Sequence, residues 1–148
     1  MPVTPPANLP EGIEPFLAAS GWAGAAIEPL AGDASFRRYF RIRKGEKTAM
    51  LMDAPPPNED PAPFLRAAKW LDANGMRAPH ILGEDTARGL VLLEDFGDDT
   101  YSRVLAAGGD ERELYARATD VLVHLYLAGD RAVLPGLGAY AGDALIEA

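Results

Sequence analysis

Residues Ala31–Asp53, AGDASFRRYFRIRKGEKTAMLMD, decide the fold. A small-residue turn leads into an arginine-studded strand, Lys44-Gly45-Glu46-Lys47 turns the chain, and Thr48 to Asp53 returns alongside. Successive side chains of a strand point to opposite faces. Alternation therefore sets Phe36, Arg38, Phe40 and Ile42 on one face and Arg37, Tyr39, Arg41 and Arg43 on the other. A hairpin of this kind gathers backbone N–H groups and positive charge at one edge, which is what a bound nucleotide phosphate requires. The same residues also fit a solvated strand face with an ordinary turn, in which Asp33 satisfies local N–H groups.

Working outward, 148 residues supply one ordinary core. The chain is 48% hydrophobic, with no apolar run approaching the roughly 20 residues of a membrane-spanning helix. Its first residues, MPVTPPANLPEG, have neither the basic region nor the apolar core of a secretory signal. The absence of cysteine removes disulfides, thiol nucleophiles and thiolate metal sites, in keeping with a cytoplasmic protein. These features lead us to expect no membrane partner. A net charge of −8 speaks against nucleic acid, yet residues 28–53 carry six basic and four acidic side chains. Positive charge on one hairpin of an acidic molecule suits a small anion better than a long polyanion.

Before the hairpin, Glu11 to Ser20 reads as a short helix and Ala26 to Leu30 as a first strand. After it, Ala54-Pro55-Pro56-Pro57 breaks any regular element. The next helix has Asp60 as N-cap, Pro61 at its first position, Phe64, Ala68 and Leu71 on one face and Gly75 past its end. A short strand follows near Pro79 to Leu82, then a turn from Gly83 to Gly89 and the buried strand Leu90-Val91-Leu92-Leu93. Glu94 to Asp99 is a polar connector. Thr100 to Ala107 forms a short helix. Asp110, with Glu113 three residues on, caps a longer one striped by Leu114, Ala118, Val121, Leu122 and Leu125.

This order, together with LAGDASFRRYFRI, AMLMDAPPP, LDANGMRAPHIL and GLVLLEDFGDDTY, resembles the aminoglycoside phosphotransferase family. Within it the closest likeness is to the bacterial kinases that phosphorylate the anomeric hydroxyl of N-acetylmuramate and N-acetylglucosamine. The resemblance implies an α+β fold. Residues 1–94 would form a kinase-like N-terminal lobe of about five antiparallel strands with one helix, residues 95–99 a hinge, and residues 100–148 the start of a helical C-terminal lobe. It implies ATP as the nucleotide, an amino sugar as the acceptor in the full-length protein, and Mg2+ for the full enzyme with ligands outside this chain.

Nucleotide-binding residues follow from the same resemblance. Gly32, Asp33, Ala34, Ser35 and Phe36 would form the phosphate loop, Gly32 allowing the tight turn and Ser35 offering a hydroxyl and an N–H. Arg37 or Arg38 would supply charge, although alternation sends them to opposite faces. The main chain of Glu94, Asp95, Phe96 and Gly97 would pair with the adenine edge, with Met52, Leu92 and Leu93 as apolar walls or simply as core.

Two departures from the general kinase pattern stand out. The third strand, Met50-Leu51-Met52-Asp53, lacks the usual lysine, and the following helix offers Arg66 and Lys69 with no acid between Asp60 and Asp72. One expectation is that Asp53 pairs with Arg66 or Lys69 while a hairpin arginine takes the phosphate; the other is that Asp53 merely ends the strand at the proline-rich turn. Asp95-Phe96-Gly97 spells the kinase magnesium signature but occupies the hinge. Neither His80 nor His124 begins a His-x-Asp catalytic loop, since Leu82 and Tyr126 stand two residues on. His124 is expected in the core or at its boundary. No catalytic or metal-binding residue is assigned. The chain is read as the N-terminal part of a sugar kinase, inactive alone. Two other readings are a non-catalytic nucleotide-binding module that pairs with another chain, and an unrelated α+β domain whose hairpin holds another anion.

Overall fold

The computed structural model describes residues 8–31 and 36–128. Its centre is one antiparallel sheet of five strands, β1 (Ala26–Pro29), β2 (Arg38–Lys44), β3 (Lys47–Asp53), β4 (Ile81–Asp85) and β5 (Leu90–Glu94), in the order β1-β2-β3-β5-β4. Helix α1 (Ile13–Ala19) precedes the sheet and α2 (Ala62–Ala73) joins β3 to β4. Helices α3 (Tyr101–Ala106) and α4 (Glu111–Ala128) follow β5. This is the α+β arrangement of a kinase-like N-terminal lobe. The hairpin is tight: Lys44 faces Lys47 across Gly45, and Arg38 faces Asp53 at the other end.

Both faces of the sheet centre are covered. Phe40, Ile42, Ala49, Leu51, Leu90 and Leu92 pack with Ile13, Phe16 and Leu17 of α1. Met52, Ala54, Val91 and Leu93 pack with Leu65 of α2, flanked by Tyr39, Met50, Phe64 and Ile81. A strand covered on both sides has no need of polar alternation, hence the unbroken apolar run of β5. In α2 the buried positions are Leu65 and Ala68. The expected stripe is thus turned slightly, leaving Phe64 and Leu71 half-buried on its flanks. Asp60 accepts from the Ala62 N–H at 2.9 Å and Asp110 from the Glu113 N–H at 3.0 Å, as helix-capping chemistry anticipates.

Three local expectations need correction. Gly83 does not open a turn; it lies within β4, opposite Leu92. A Cβ there would stand 2.5 Å from Ser20 Oγ, so this glycine serves the close approach of α1 to the sheet. His124 is exposed rather than core or boundary, because the second half of α4 turns Val121, Leu122, Leu125, Tyr126 and Leu127 to solvent. Asp53 meets neither Arg66 nor Lys69. It shares its face with Ala49 and Leu51, on the α1 side, whereas α2 covers the Met50 and Met52 side. Lys69 instead pairs with Glu84 at 2.8 Å.

Gly89 locks the end of β3 to the start of β5. Its carbonyl accepts from the Ala54 N–H at 2.8 Å, its φ is +77°, and a Cβ would fall 2.0 Å from the Ala54 oxygen. Gly89→Ala is expected to cost about 2 to 4 kcal/mol, read as a lowered urea midpoint, whereas alanine at the open Gly108 turn costs less.

Candidate functional site

The two hairpin arginines part as alternation requires. Arg37 donates from Nε to Glu59 Oε2 at 2.8 Å, at the approach to α2. Arg38 donates from Nε and Nη2 to Asp53 Oδ2 at 2.9 and 2.6 Å, and from Nη1 to the Asn8 carbonyl at 2.8 Å. Asp53 is 2% exposed and Arg38 covers it, its guanidinium also 5.7 Å from the Phe40 ring centre. Arg37 therefore belongs to the face that α2 covers, and Arg38 to the opposite one. Gly32, Asp33, Ala34 and Ser35, expected to form the phosphate loop, lie outside the described residues. Beside them Phe36 is 65% exposed, and Leu30 donates to the Tyr39 carbonyl at 2.9 Å, closing the base of the loop between β1 and β2.

At the other end of β5, side chains on both flanks hold the connector. Arg77 donates to both oxygens of Glu94 at 2.5 and 2.9 Å, and the His80 N–H adds a bond at 3.2 Å. The Arg77 guanidinium then stacks 4.6 Å from the centre of the Phe96 ring. On the second flank Arg41 of β2 reaches Asp95 Oδ2 from Nε at 2.8 Å and Asp98 Oδ1 from Nη2 at 2.8 Å. Asp95 Oδ1 also accepts the Gly97 N–H at 2.9 Å, bending the backbone into a turn that Gly97 completes at φ +77°.

These contacts set the charge states. The Arg77 guanidinium, helped by the His80 N–H, pulls the Glu94 carboxyl down to about 2. Burial alone would raise Asp95, but the Gly97 N–H and Arg41 outweigh it and hold the carboxyl below its usual range. Arg41 lowers Asp98 in the same way. Among the described residues no group of three His, Cys, Asp or Glu side chains could hold a metal ion. Asp53, Asp95 and Asp98 are each taken by an arginine.

Between the loop and the connector lies the face carrying Tyr39, Met50 and Met52. Met52 is fully buried against α2, Leu93 is nearly so, and Leu92 faces α1 and cannot touch a ligand there. Tyr39 and Met50 are half-exposed side chains of that face on β2 and β3. Sequence reasoning passed over both, although the alternation that separated Arg37 from Arg38 also places Tyr39 beside Arg37. Arg41 was missed for another reason: nothing local marks which of four strand arginines will be buried.

The sequence matches the phosphotransferase enzyme family over residues 26–144. An N-acetylmuramate/N-acetylglucosamine kinase of Caulobacter vibrioides is 38% identical, the match covering 80% of this chain and 40% of that protein. The kinase of the same name from Pseudomonas aeruginosa is 41% identical, with 86% and 37% covered. One from Neisseria meningitidis is 37% identical, with 71% and 32% covered. The chain thus spans about two fifths or less of the length of these curated relatives.

A carboxyl held below its unfolded value contributes stability that is complete above the unfolded pKa and is lost as pH falls through the folded one. For Glu94 that window runs from 4.5 down to about 2. The urea midpoint should stay level from pH 7 to 5 and fall across that window, and Glu94→Gln should flatten part of the fall. An unchanged slope in Glu94→Gln would mean that the Arg77 pair contributes nothing.

Proposed function

This chain belongs to the phosphotransferase enzyme family, and from that membership we propose that it forms the nucleotide-binding part of an ATP-dependent amino-sugar kinase acting on the anomeric hydroxyl of N-acetylmuramate or N-acetylglucosamine. The observation that carries this reading is that Arg37 and a braced connector stand at opposite ends of one sheet face. Substrate class comes from the names of the relatives, and ATP use from their being kinases and from the phosphotransferase family of this chain.

Phosphoryl transfer asks the protein mainly for positioning and electrostatic stabilisation. The backbone of residues 32–35, with the Ser35 hydroxyl, is the phosphate cradle in this reading. Arg37 is the arginine on the α2 face, held by Glu59 where it can meet phosphate oxygens. Arg38 covers Asp53 and keeps the start of β2 in place. The main chain of residues 94–97 pairs with the adenine edge, and Tyr39 and Met50 form the apolar surface for the base, backed by Met52. In the reaction the sugar oxygen forms a bond to the γ-phosphorus, the bond to the β-phosphate oxygen breaks, and the sugar hydroxyl yields its proton to a base. The paired carboxylates described here fit neither that base nor a magnesium ligand. A location where ATP is plentiful, the cytoplasm, goes with this reading, and no described helix is long and apolar enough to cross a membrane.

A second reading, a nucleotide-binding module that pairs with another chain, is favoured by the exposed apolar side of α4, with Leu122, Tyr126 and Leu127 open to solvent. Calorimetric titration with ATP tests what both readings share. Saturable binding is expected, weakened about tenfold or more by Arg37→Ala through loss of a charged hydrogen bond. A protein that binds no ATP sinks both. Neither reading gives this chain a catalytic base, so the two part on complementation: transfer of the γ-phosphate of labelled ATP to N-acetylmuramate that appears on adding a separate partner chain favours the module, and binding with no such restoration favours the kinase part.

A further inference from the structure

Arg41 is 8% exposed, and with Asp53 it is one of two buried charged residues among the described residues. Its position is an unusual one for a charge. Arg41 lies across from Met50, and Met50 across from Leu93, so an apolar side chain there would extend the α2-side core. Withdrawing a guanidinium from water is costly, and a well-packed apolar replacement is often as stable. What the charge provides that a leucine would not is direction. Four hydrogen bonds run from it to Asp95 and Asp98, at 2.8, 3.3, 3.1 and 2.8 Å.

We propose that Arg41 is a positioning residue for the nucleotide base: by gripping Asp95 and Asp98 it fixes the peptide groups of residues 95–97 relative to β2. Base recognition by the connector and phosphate recognition by Arg37, just ahead of β2, then keep a fixed separation. This rests on the nucleotide-binding reading above and extends it. Asp95 is the transmitting group, because the same carboxylate oxygen that takes Arg41 Nη2 also takes the Gly97 N–H. Orienting that carboxylate orients the Phe96–Gly97 peptide. Asp98 carries the constraint onward, its carbonyl accepting from Arg103 of α3 at 3.2 Å. Shifting the connector against β2 would strand a buried guanidinium, so the arrangement resists small displacements. With its guanidinium occupied by two carboxylates, Arg41 itself touches no phosphate.

The test compares ATP with inorganic tripolyphosphate, which presents phosphates without a base. Affinities for both are measured calorimetrically on the intact protein, its Arg41→Met variant and its Asp98→Ala variant. Arg41→Met is expected to weaken ATP by about tenfold, the worth of one to two well-aligned hydrogen bonds, and to leave tripolyphosphate unchanged. Asp98→Ala, at a side chain 55% exposed, should show the same selective loss to a smaller extent and keeps the test decisive if Arg41→Met fails to fold. A purely structural defect lowers the fraction of binding-competent protein and spares the ratio of the two affinities. Equal loss for both ligands, or unchanged ATP affinity in the folded variants, overturns the proposal alone. Wild-type protein that binds neither ligand removes the nucleotide reading and the proposal with it.

Discussion

A side chain on β3 can reach only one face of the sheet, and helices cover both faces; the rest of the structure depends on that constraint. Ala49, Leu51 and Asp53 go to the α1 side, Met50 and Met52 to the α2 side. Pairing in register carries the division to β2 and β5, so that Arg38 lies across from Asp53 while Tyr39 lies across from Met52. A one-residue slip would exchange the two sets and bring Asp53 against Leu65 and Ala68 of α2. The close contact of Gly89 with Ala54 opposes such a slip at one end, and the two-residue turn at Gly45 opposes it at the other.

The same division sorts the charges by purpose. Exposed pairs such as Arg43 with Glu28, Lys69 with Glu84 and Arg117 with Glu113 gain little from attraction in water. Buried or half-buried pairs stand where the chain has to be aimed. Arg38 with Asp53 anchors the start of β2, directly after the loop between β1 and β2. Arg41 with Asp95 holds the connector from one flank as it leaves β5, and the more exposed pair of Arg77 with Glu94 holds it from the other. Polar groups of this kind give geometry more than stability: Arg38 with Asp53 does so on the α1 side of the sheet, and Arg41 with Asp95 on the α2 side, where Tyr39 and Met50 lie.

The half-exposed surface of Tyr39 and Met50 is what remains once α2 has taken Met52 and Leu93. In α4, Leu114 and Ala118 are half-buried, but the apolar residues between Val121 and Leu127 are open. Local structure in α4 is secured by its Asp110 cap and by the Glu113–Arg117 pair, both of which form without tertiary partners.

The sequence by itself determined the hairpin, the alternation of β2 and β3, the capped helices and the doubly buried β5, because each depends on neighbours a few residues apart. It also determined that Arg37 and Arg38 must diverge, and its motifs were specific enough to identify the family. Only the tertiary structure decided where charges meet. Asp53 pairs with Arg38 rather than with Arg66 or Lys69 because α2 packs on the face that Asp53 does not share. Arg41 is buried, while Arg43, two residues on and on the same strand face, is exposed, because the connector folds back over the first and not the second. Gly83 proved to be a contact glycine for the same kind of reason, its neighbour being Ser20 from a distant helix. Periodicity assigns a residue to a face; which element comes to cover that face is a property of the assembled fold.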